Sequence, residues 1–438
     1  MNLKKMSALK AIITFPSGFA KDTLTEIDNI FSRLWLEKKQ RPIIKMEKHT
    51  ICISNVHIDS LFEILMRSSV VTDVRLVIQE AQVVSKSNLK TTCNKIPWGD
   101  YLDESLPIKI KVNSIASQLF HEGAIKEVIK TSTLASFCNE DSQIETLTNS
   151  LFFEILKDKL TVSVSLAGSE LYKRNYKKSL TAAAPLREDI AHFCVKKSHN
   201  FLRQFLPTSK VSTLFVPFGG SGTFIFEFLI NVFNLSNNFF GKKFIFESTS
   251  IFKEKTINFL NKKCLQESEK IECELKNIIY LDNAENISKV FSDNFEFFEQ
   301  KIKEKSENIF NKIHSIKLQK EYENFLKLDV KKFVEQFSDN EVVFMPLNPP
   351  YGLRQNSKAD SAQFYTKIIQ KINELGAALK QNKSSLCAFI LCPSEETWSL
   401  AMNKMHTQNK ETFHFTQGGL HIRVVNVVYS NAAIPVSS

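Results

Sequence analysis

Apolar and polar residues follow a strand pattern over residues 8–15, and apolar positions recur at helical spacing over 20–34. Strand patterns return over 43–56 and 70–84, on either side of a helical pattern over 57–68. This predicts an α+β module over residues 1–75. A polar stretch at 86–92 leads into a second module, over 76–166, with strands at 108–112 and 160–166 and a helix at 124–130. A third region, 167–438, opens on a basic and aromatic connector and continues into a helix near 182–191, with Pro185 in its first turn.

Two segments of the third region interrupt their patterns abruptly. Residues 211–227 read as a strand, a turn holding Gly219, Gly220 and Gly222, and then an amphipathic helix. The chain has 12 glycines in 438 residues, so three within four positions mark a place where backbone and ligand come close or φ turns positive. No Gly-Lys-Ser/Thr follows, which argues against a P-loop, and the spacing is not that of a nicotinamide dinucleotide fold. The second segment is Asn348-Pro349-Pro350-Tyr351, directly after the apolar run 341–347. It reads as a buried strand that stops at a rigid turn, since two prolines fix their φ and supply no N–H. The Asn348 side-chain oxygen and the Pro349 carbonyl can both accept hydrogens from one planar amino group, and the Tyr351 ring can stack on the base that carries it.

Composition narrows the partners. The formal charge is +10, with 57 Lys and Arg against 47 Asp and Glu, which favours nucleic acid or another polyanion. Lys173, Arg174, Lys177 and Lys178 interleave with Tyr172 and Tyr176, a mixture that serves either an RNA-contacting surface or a polar connector. His121 and Lys126 offer a further place for RNA or a solvated face. The eight cysteines form no Cys-x-x-Cys pair and no histidines cluster at zinc spacing, so a metal site is not expected. Neither a signal peptide nor an Arg-rich transit sequence opens the chain, and a cytoplasmic protein is expected, an organellar one remaining open. The apolar stretch 211–233 contains Pro217, three glycines and Glu227, which argues for a buried strand and helix over a membrane span.

These motifs, in this order, resemble a known family. Residues 171–177 (Leu-Tyr-Lys-Arg-Asn-Tyr-Lys) followed by 183–188 (Ala-Ala-Pro-Leu-Arg-Glu) look like the entry to the catalytic domain of THUMP-containing RNA guanine-N2 methyltransferases, those of large-subunit rRNA above all. The turn 217–223 with Glu227, the stretch 244–247, Asn348–Gly352 and the segment 417–423 are similar to further family motifs, so the likeness covers about residues 90–438. It implies a ferredoxin-like α+β module (1–75), a THUMP-like RNA-binding domain (76–166) and a class I, Rossmann-like methyltransferase domain (167–438). It also implies S-adenosyl-L-methionine as cofactor and structured RNA as partner, rRNA ahead of tRNA. In that reading Pro217, Gly219, Gly220, Ser221, Gly222 and Thr223 surround the methionine part of the cofactor. Asp282 binds its ribose, and Asp329 sits near its adenine at the end of a third strand. Asn348, Pro349, Pro350 and Tyr351 form the catalytic motif, and Lys173, Arg174, Tyr176 and Lys177 contact RNA.

The sequence departs from the family pattern at Val216, Tyr280, Ala284 and Leu353, and the region between Asp282 and Asp329 is long enough for an added surface helix or helix pair. The departures leave a second reading: a catalytically degenerate, RNA-binding ribosome assembly factor built on the same fold. A methyltransferase of DNA adenine or of protein glutamine would share the catalytic tetrapeptide.

Overall fold

The computed structural model describes residues 9–33, 41–47, 49–137, 147–178, 186–350 and 358–431. They form two compact units: Met1–Arg174 with Ser236–Gln266, and Asn175–Leu235 with Glu267–Ser438.

The first unit holds β1 (Leu9–Thr14), α1 (Ala20–Arg33), β2 (Ile43–Met46), β3 (Thr50–Val56), α2 (Ile58–Arg67), β4 (Asp73–Gln82), α3 (Lys86–Asn94), β5 (Ile108–Ile115), α4 (Glu122–Lys130), β6 (Asn149–Leu156) and β7 (Lys159–Ser165). Its strands make one sheet in the order β2-β3-β1-β4-β7-β6-β5. Only β5 and β6 run parallel; the other neighbours are antiparallel. Because side chains alternate between faces, Val74, Leu76, Leu151, Phe153, Val162 and Val164 point into one core while Arg75, Phe152 and Ser163 lie on the opposite face.

Three expectations for this region are corrected. The boundary at 75/76 falls inside β4, which bonds to β1 on one side and β7 on the other, so the two expected modules share a single sheet. The polar stretch 86–92 is helix α3, capped by the Ser85 hydroxyl, which accepts from the Asn88 N–H at 3.2 Å. Residues 167–174 and 236–266, assigned to the third region, pack with the first unit. Phe62 meets Phe246 edge to face at 4.7 Å, and the Asn237 amide donates to the carbonyls of Leu65 and Ser68, both at 2.7 Å.

The second unit holds α5 (Glu188–Phe205), β8 (Thr213–Val216) and α6 (Thr223–Phe233). After α7 (Glu254–Glu269), which lies mostly in the first unit, come β9 (Asn277–Leu281), α8 (Glu285–Lys305), α9 (Glu307–His314), β10 (Lys317–Glu321), α10 (Val330–Val334), β11 (Val342–Leu347), α11 (Lys358–Gln381), β12 (Ser385–Cys392), α12 (Glu395–Lys404), β13 (Lys410–Gln417) and β14 (Leu420–Tyr429). The sheet order is β10-β9-β8-β11-β12-β14-β13. The first five strands are parallel, and β14 is antiparallel to both its neighbours. Every residue of β11 and β12 is buried, as parallel strands covered on both faces require. The chain turns to opposite sides of β8, with β9 on one flank and β11 on the other. Such a switch point opens a crevice beyond the carboxyl ends of the strands.

The stretch 211–233 is the buried strand β8 and helix α6, and no described helix is long and apolar enough to cross a membrane. The long segment after Asp282 is the expected helix pair, α8 and α9. It also forms the crossover between β9 and β10, with Phe291, Phe295 and Phe298 buried. The third strand is not where it was expected. It is β10, at Lys317–Glu321, and Phe325–Lys327 forms a single 3-10 turn. As a charged edge strand, β10 carries little apolar signature.

A cavity of about 480 Å³ beside the start of β8 contains His199, whose ring stacks on Phe228 at 6.1 Å. Burial, helped by the Arg203 charge, pulls the His199 pKa down to about 4. Unfolding restores the ordinary value near 6.5, so the unfolded chain binds the extra proton between these pH values. The stability tied to neutral His199 is fully present above about pH 6.5 and is lost as pH falls toward 4. Denaturant melts across that range are expected to show the wild type losing about 2–3 kcal/mol more than His199→Gln. Parallel losses in both proteins would show that this imidazole is not responsible.

Candidate active site

The strand-turn-helix at 213–233 has an internal reason for its glycines. The Gly219 N–H donates to the Leu281 carbonyl at 3.1 Å, and the Gly222 N–H donates to the Gly219 carbonyl at 2.9 Å. Gly220 and Gly222 have φ of +53° and +88°. Beneath the turn Tyr280 stacks on Phe291, with ring centroids 4.1 Å apart and planes within 2°. A Cβ on Gly219 would lie 2.1 Å from the Tyr280 ring, and one on Gly222 would lie 2.5 Å from Phe291. The Tyr280 hydroxyl donates to the Gly220 carbonyl at 2.9 Å. Two of the three glycines are thus required by an aromatic pair of the protein itself. Gly220, with no heavy atom within 4 Å of its Cβ direction, is the one that faces open space.

The connector expected to touch RNA is instead packed inside the protein. Arg174 is 3% exposed and donates to the Asn237 side chain and the Ser69 carbonyl. Tyr176 is 1% exposed, and its hydroxyl donates to Glu227 at 2.8 Å. The Lys177 ammonium is buried against Glu188 at 3.2 Å and Thr223 at 3.0 Å. The Lys178 N–H reaches Asn294, whose amide reaches the Ser221 carbonyl at 3.5 Å. Residues 176–178 are therefore a strap under the glycine turn and α6. The expectation of RNA contacts fails for Arg174, Tyr176 and Lys177, because their polar groups have internal partners. Lys173 stays exposed and pairs with Glu170 at 3.0 Å. Glu227, completely buried, also bonds to His192 Nδ1 at 2.9 Å.

Asp282 ends β9 beside the turn. One carboxylate oxygen accepts the Gly220 N–H at 2.9 Å and the other accepts the Ala284 N–H at 3.0 Å. Asp329 is elsewhere: it caps α10, accepting from the Lys331 and Lys332 N–H groups at 3.0 and 3.2 Å. The segment after β10 contributes Glu323, Asn324 and Phe325, which the sequence reading missed because β10 itself was missed.

A cavity of about 500 Å³ joins these parts, a size suited to one small ligand. It is lined by Pro217, Gly219, Gly220, Ser221 and Thr223 of the turn, by Asp282, and by Asn348 and Pro350 beyond β11. Asn348 Oδ1 is buried with no hydrogen-bond partner. Pro349 is buried and does not line the cavity. Tyr351 lies outside the described residues. The cavity wall thus offers a carboxylate and an open glycine at one end and an unsatisfied oxygen acceptor at the other. Among the described residues no group of three or more His, Cys, Asp or Glu is placed to hold a metal.

No family model matches the chain. It is similar to a ribosomal RNA large subunit methyltransferase K/L of Psychromonas ingrahamii, 25% identical over 193 residues, which are 42% of this chain. The match spans about a quarter (24%) of that relative's length. Among solved structures, a protein assigned as a methyltransferase and complexed with SAH superposes with a TM-score of 0.69 at 16% identity, covering 98% of this chain and 99% of its own. A protein from Listeria monocytogenes assigned as an N6-adenine-specific DNA methylase gives 0.63 at 17% identity, covering 97% of this chain and 98% of its own. The fold is therefore the class I, Rossmann-like methyltransferase fold with an N-terminal α+β region. The resemblance to large-subunit rRNA methyltransferases read from the motifs stands.

The contact between Gly219 and Tyr280 can be tested alone. Gly219→Ala places a methyl inside the tyrosine ring and is expected to cost about 1–3 kcal/mol of stability, as overpacking does. In a Tyr280→Ala background the same change should cost at least about 1 kcal/mol less, a coupling read from the four denaturant midpoints of the cycle. Additive costs would show that the turn does not rest on the ring.

Proposed function

We propose that this chain is an S-adenosylmethionine-dependent RNA methyltransferase that forms N2-methylguanosine, in large-subunit rRNA. The observation that carries the reading is Asn348 Oδ1: an acceptor buried without a partner, in a wall shared with the glycine turn and Asp282. A buried acceptor left unpaired costs about 1–3 kcal/mol, so it belongs where a donor arrives with the substrate.

The cavity fits the cofactor. Gly220, Ser221 and Thr223 would hold its methionine end, Asp282 its ribose hydroxyls, and Glu323 and Asn324 the side where Asp329 was expected. When bound, it supplies an electrophilic methyl group on a positively charged sulfur. The protein's own task is the nucleophile. The lone pair of the guanine N2 amine is delocalised into the ring, so the amine is a poor nucleophile. Asn348 Oδ1 accepts one of its hydrogens and the motif assigns the other to the Pro349 carbonyl; together they would localise the lone pair and stabilise the positive charge that develops on nitrogen. The site needs orientation more than a base: N2 must be aimed along the bond that breaks, and one N2 proton then leaves to water. The base must leave its stack to reach the acceptors, and Tyr351 is the side chain assigned to cover its face. Choosing guanine in large-subunit rRNA over adenine or DNA rests on the ordered motifs, the charge of +10 and the relative's name.

Two observations favour the second reading, a degenerate RNA-binding assembly factor. Both Asp282 oxygens already accept backbone N–H groups, and Val216 supplies no acid before the turn. Calorimetric titration of S-adenosylmethionine into the purified chain separates the two readings, since the degenerate protein gives no binding heat.

Asn348→Ala is expected to lower transfer of labelled methyl into RNA by about 10²-fold or more, the loss typical of one oriented transition-state partner. Cofactor affinity should stay unchanged. Asp282→Ala should do the reverse, weakening cofactor binding by about 1.5–3 kcal/mol. Digestion of the labelled RNA should place the methyl in N2-methylguanosine; label in N6-methyladenosine would overturn the assignment to guanine.

A further inference from the structure

The second unit carries another cavity, at the end of its sheet away from the glycine turn. It is the space of about 480 Å³ around His199, and its wall includes Val211, just before β8, and Leu275, just before β9. Ligands of open α/β sheets enter beyond the carboxyl ends of the strands, so the switch point does not account for an opening at the amino ends. Its volume nearly equals that of the cavity beside Asp282 and lies in the range of small-molecule sites.

The floor of this cavity is apolar. Val211, Phe228 and Leu275 are buried, and the His199 ring is flanked by Phe228 and Phe344, each with its centroid 6.1 Å away. The ring is neutral, since burial and the Arg203 charge hold its pKa down at about 4. Asn231 Nδ2 lies 3.4 Å from His199 Nδ1, so Nδ1 is the acceptor of that bond and Nε2 carries the proton. That N–H, the Asn200 side-chain amide and the Arg203 guanidinium have no hydrogen-bond or ion-pair partner among the described residues.

The acids of the rim are already engaged. The lining has three cations, Lys196, Arg203 and Lys210, against two carboxylates, Glu272 and Glu274. Glu274 pairs with Lys210 at 2.7 Å, and Glu272 pairs with Lys312, from outside the lining, at 3.7 Å. The balance of the lining is positive, and donors without acceptors stand over an apolar floor. A guanidinium fork and a neutral imidazole N–H both suit the oxygens of an acidic group.

We propose that this cavity binds a small organic anion, a carboxylate or a phosphate ester, whose acidic group meets Arg203 and whose apolar body lies over Phe228. The site is separate from methyl transfer, because it lies at the opposite ends of the strands. It stands whether or not the chain methylates RNA.

The test follows the ring signals of the full-length protein labelled at histidine, at neutral pH, with benzoate, phenyl phosphate and the uncharged benzamide as probes. The His199 signal is the one missing from His199→Gln. At least one anion is expected to shift it with millimolar affinity, and benzamide should bind at least about tenfold more weakly. The tighter of the two anions identifies the acidic group the site takes. Arg203→Gln, at an exposed position without a partner, should weaken that anion by about tenfold and leave the thermal midpoint unchanged. Saturating S-adenosylmethionine should not displace it. A His199 signal unmoved by both anions would overturn the proposal. So would wild-type affinity in Arg203→Gln, benzamide binding as tightly as the anions, or displacement by S-adenosylmethionine.

Discussion

The site depends on where the second unit's sheet changes direction. From β8 the chain passes to β9 on one side and later to β11 on the other, and right-handed crossovers then carry the helices to opposite faces. No connection can bridge the carboxyl ends of β8 and β11, so a crevice opens there with four strand ends at its rim. Each strand end delivers one part: the glycine turn after β8, Asp282 after β9, Glu323 and Asn324 after β10, and Asn348 after β11. Because β8, β9 and β11 are buried and apolar, the strands themselves supply no chemistry and serve as a rigid mount. The polar groups appear only where the pattern stops.

That division explains what was legible in the sequence. Turn chemistry is local: Gly220 and Gly222 need positive φ, and Pro349 and Pro350 cannot continue a ladder, so both motifs could be read without knowing their neighbours. The order of motifs gave the fold class for the same reason. The fate of Lys177, Arg174 and Tyr176 is not local. A cation beside an aromatic ring reads the same on an RNA-facing surface and in a buried strap, and the partners that decide lie 11, 63 and 51 residues away, at Glu188, Asn237 and Glu227. Asp329 misled in a related way, since a helix cap and a strand-end ligand are both an acid after an apolar run. β10 escaped notice because an edge strand needs one buried face at most, and Lys317, Lys320 and Glu321 keep it polar. The boundary at 75/76 failed because periodicity reports that β4 is a strand and is silent on how many neighbours it has.

The strap gives the glycine turn its rigidity. Glu227 is wholly buried, and a carboxylate there is tolerable only if its oxygens are bonded; the Tyr176 hydroxyl and His192 Nδ1 bond them. Lys177 ties the first residue of α6 to Glu188, and Lys178 reaches Ser221 through Asn294. From below, the Tyr280–Phe291 pair fills the space that side chains on Gly219 and Gly222 would otherwise take. Ring and strap together leave the turn little freedom, so Gly220 and Asp282 meet at a fixed 2.9 Å. The proposed chemistry relies on holding reactants in place, an effect a loose mount would forfeit.

The charge of the cavity wall also constrains where a polyanion could bind. The described cavity wall has two carboxylates, Asp282 and Glu323, and no Lys or Arg, so its charge disfavours a phosphate backbone. Affinity for a polyanion must be generated on other surfaces, and its cations must not be neutralised by internal carboxylates. Lys177 fails that condition through Glu188.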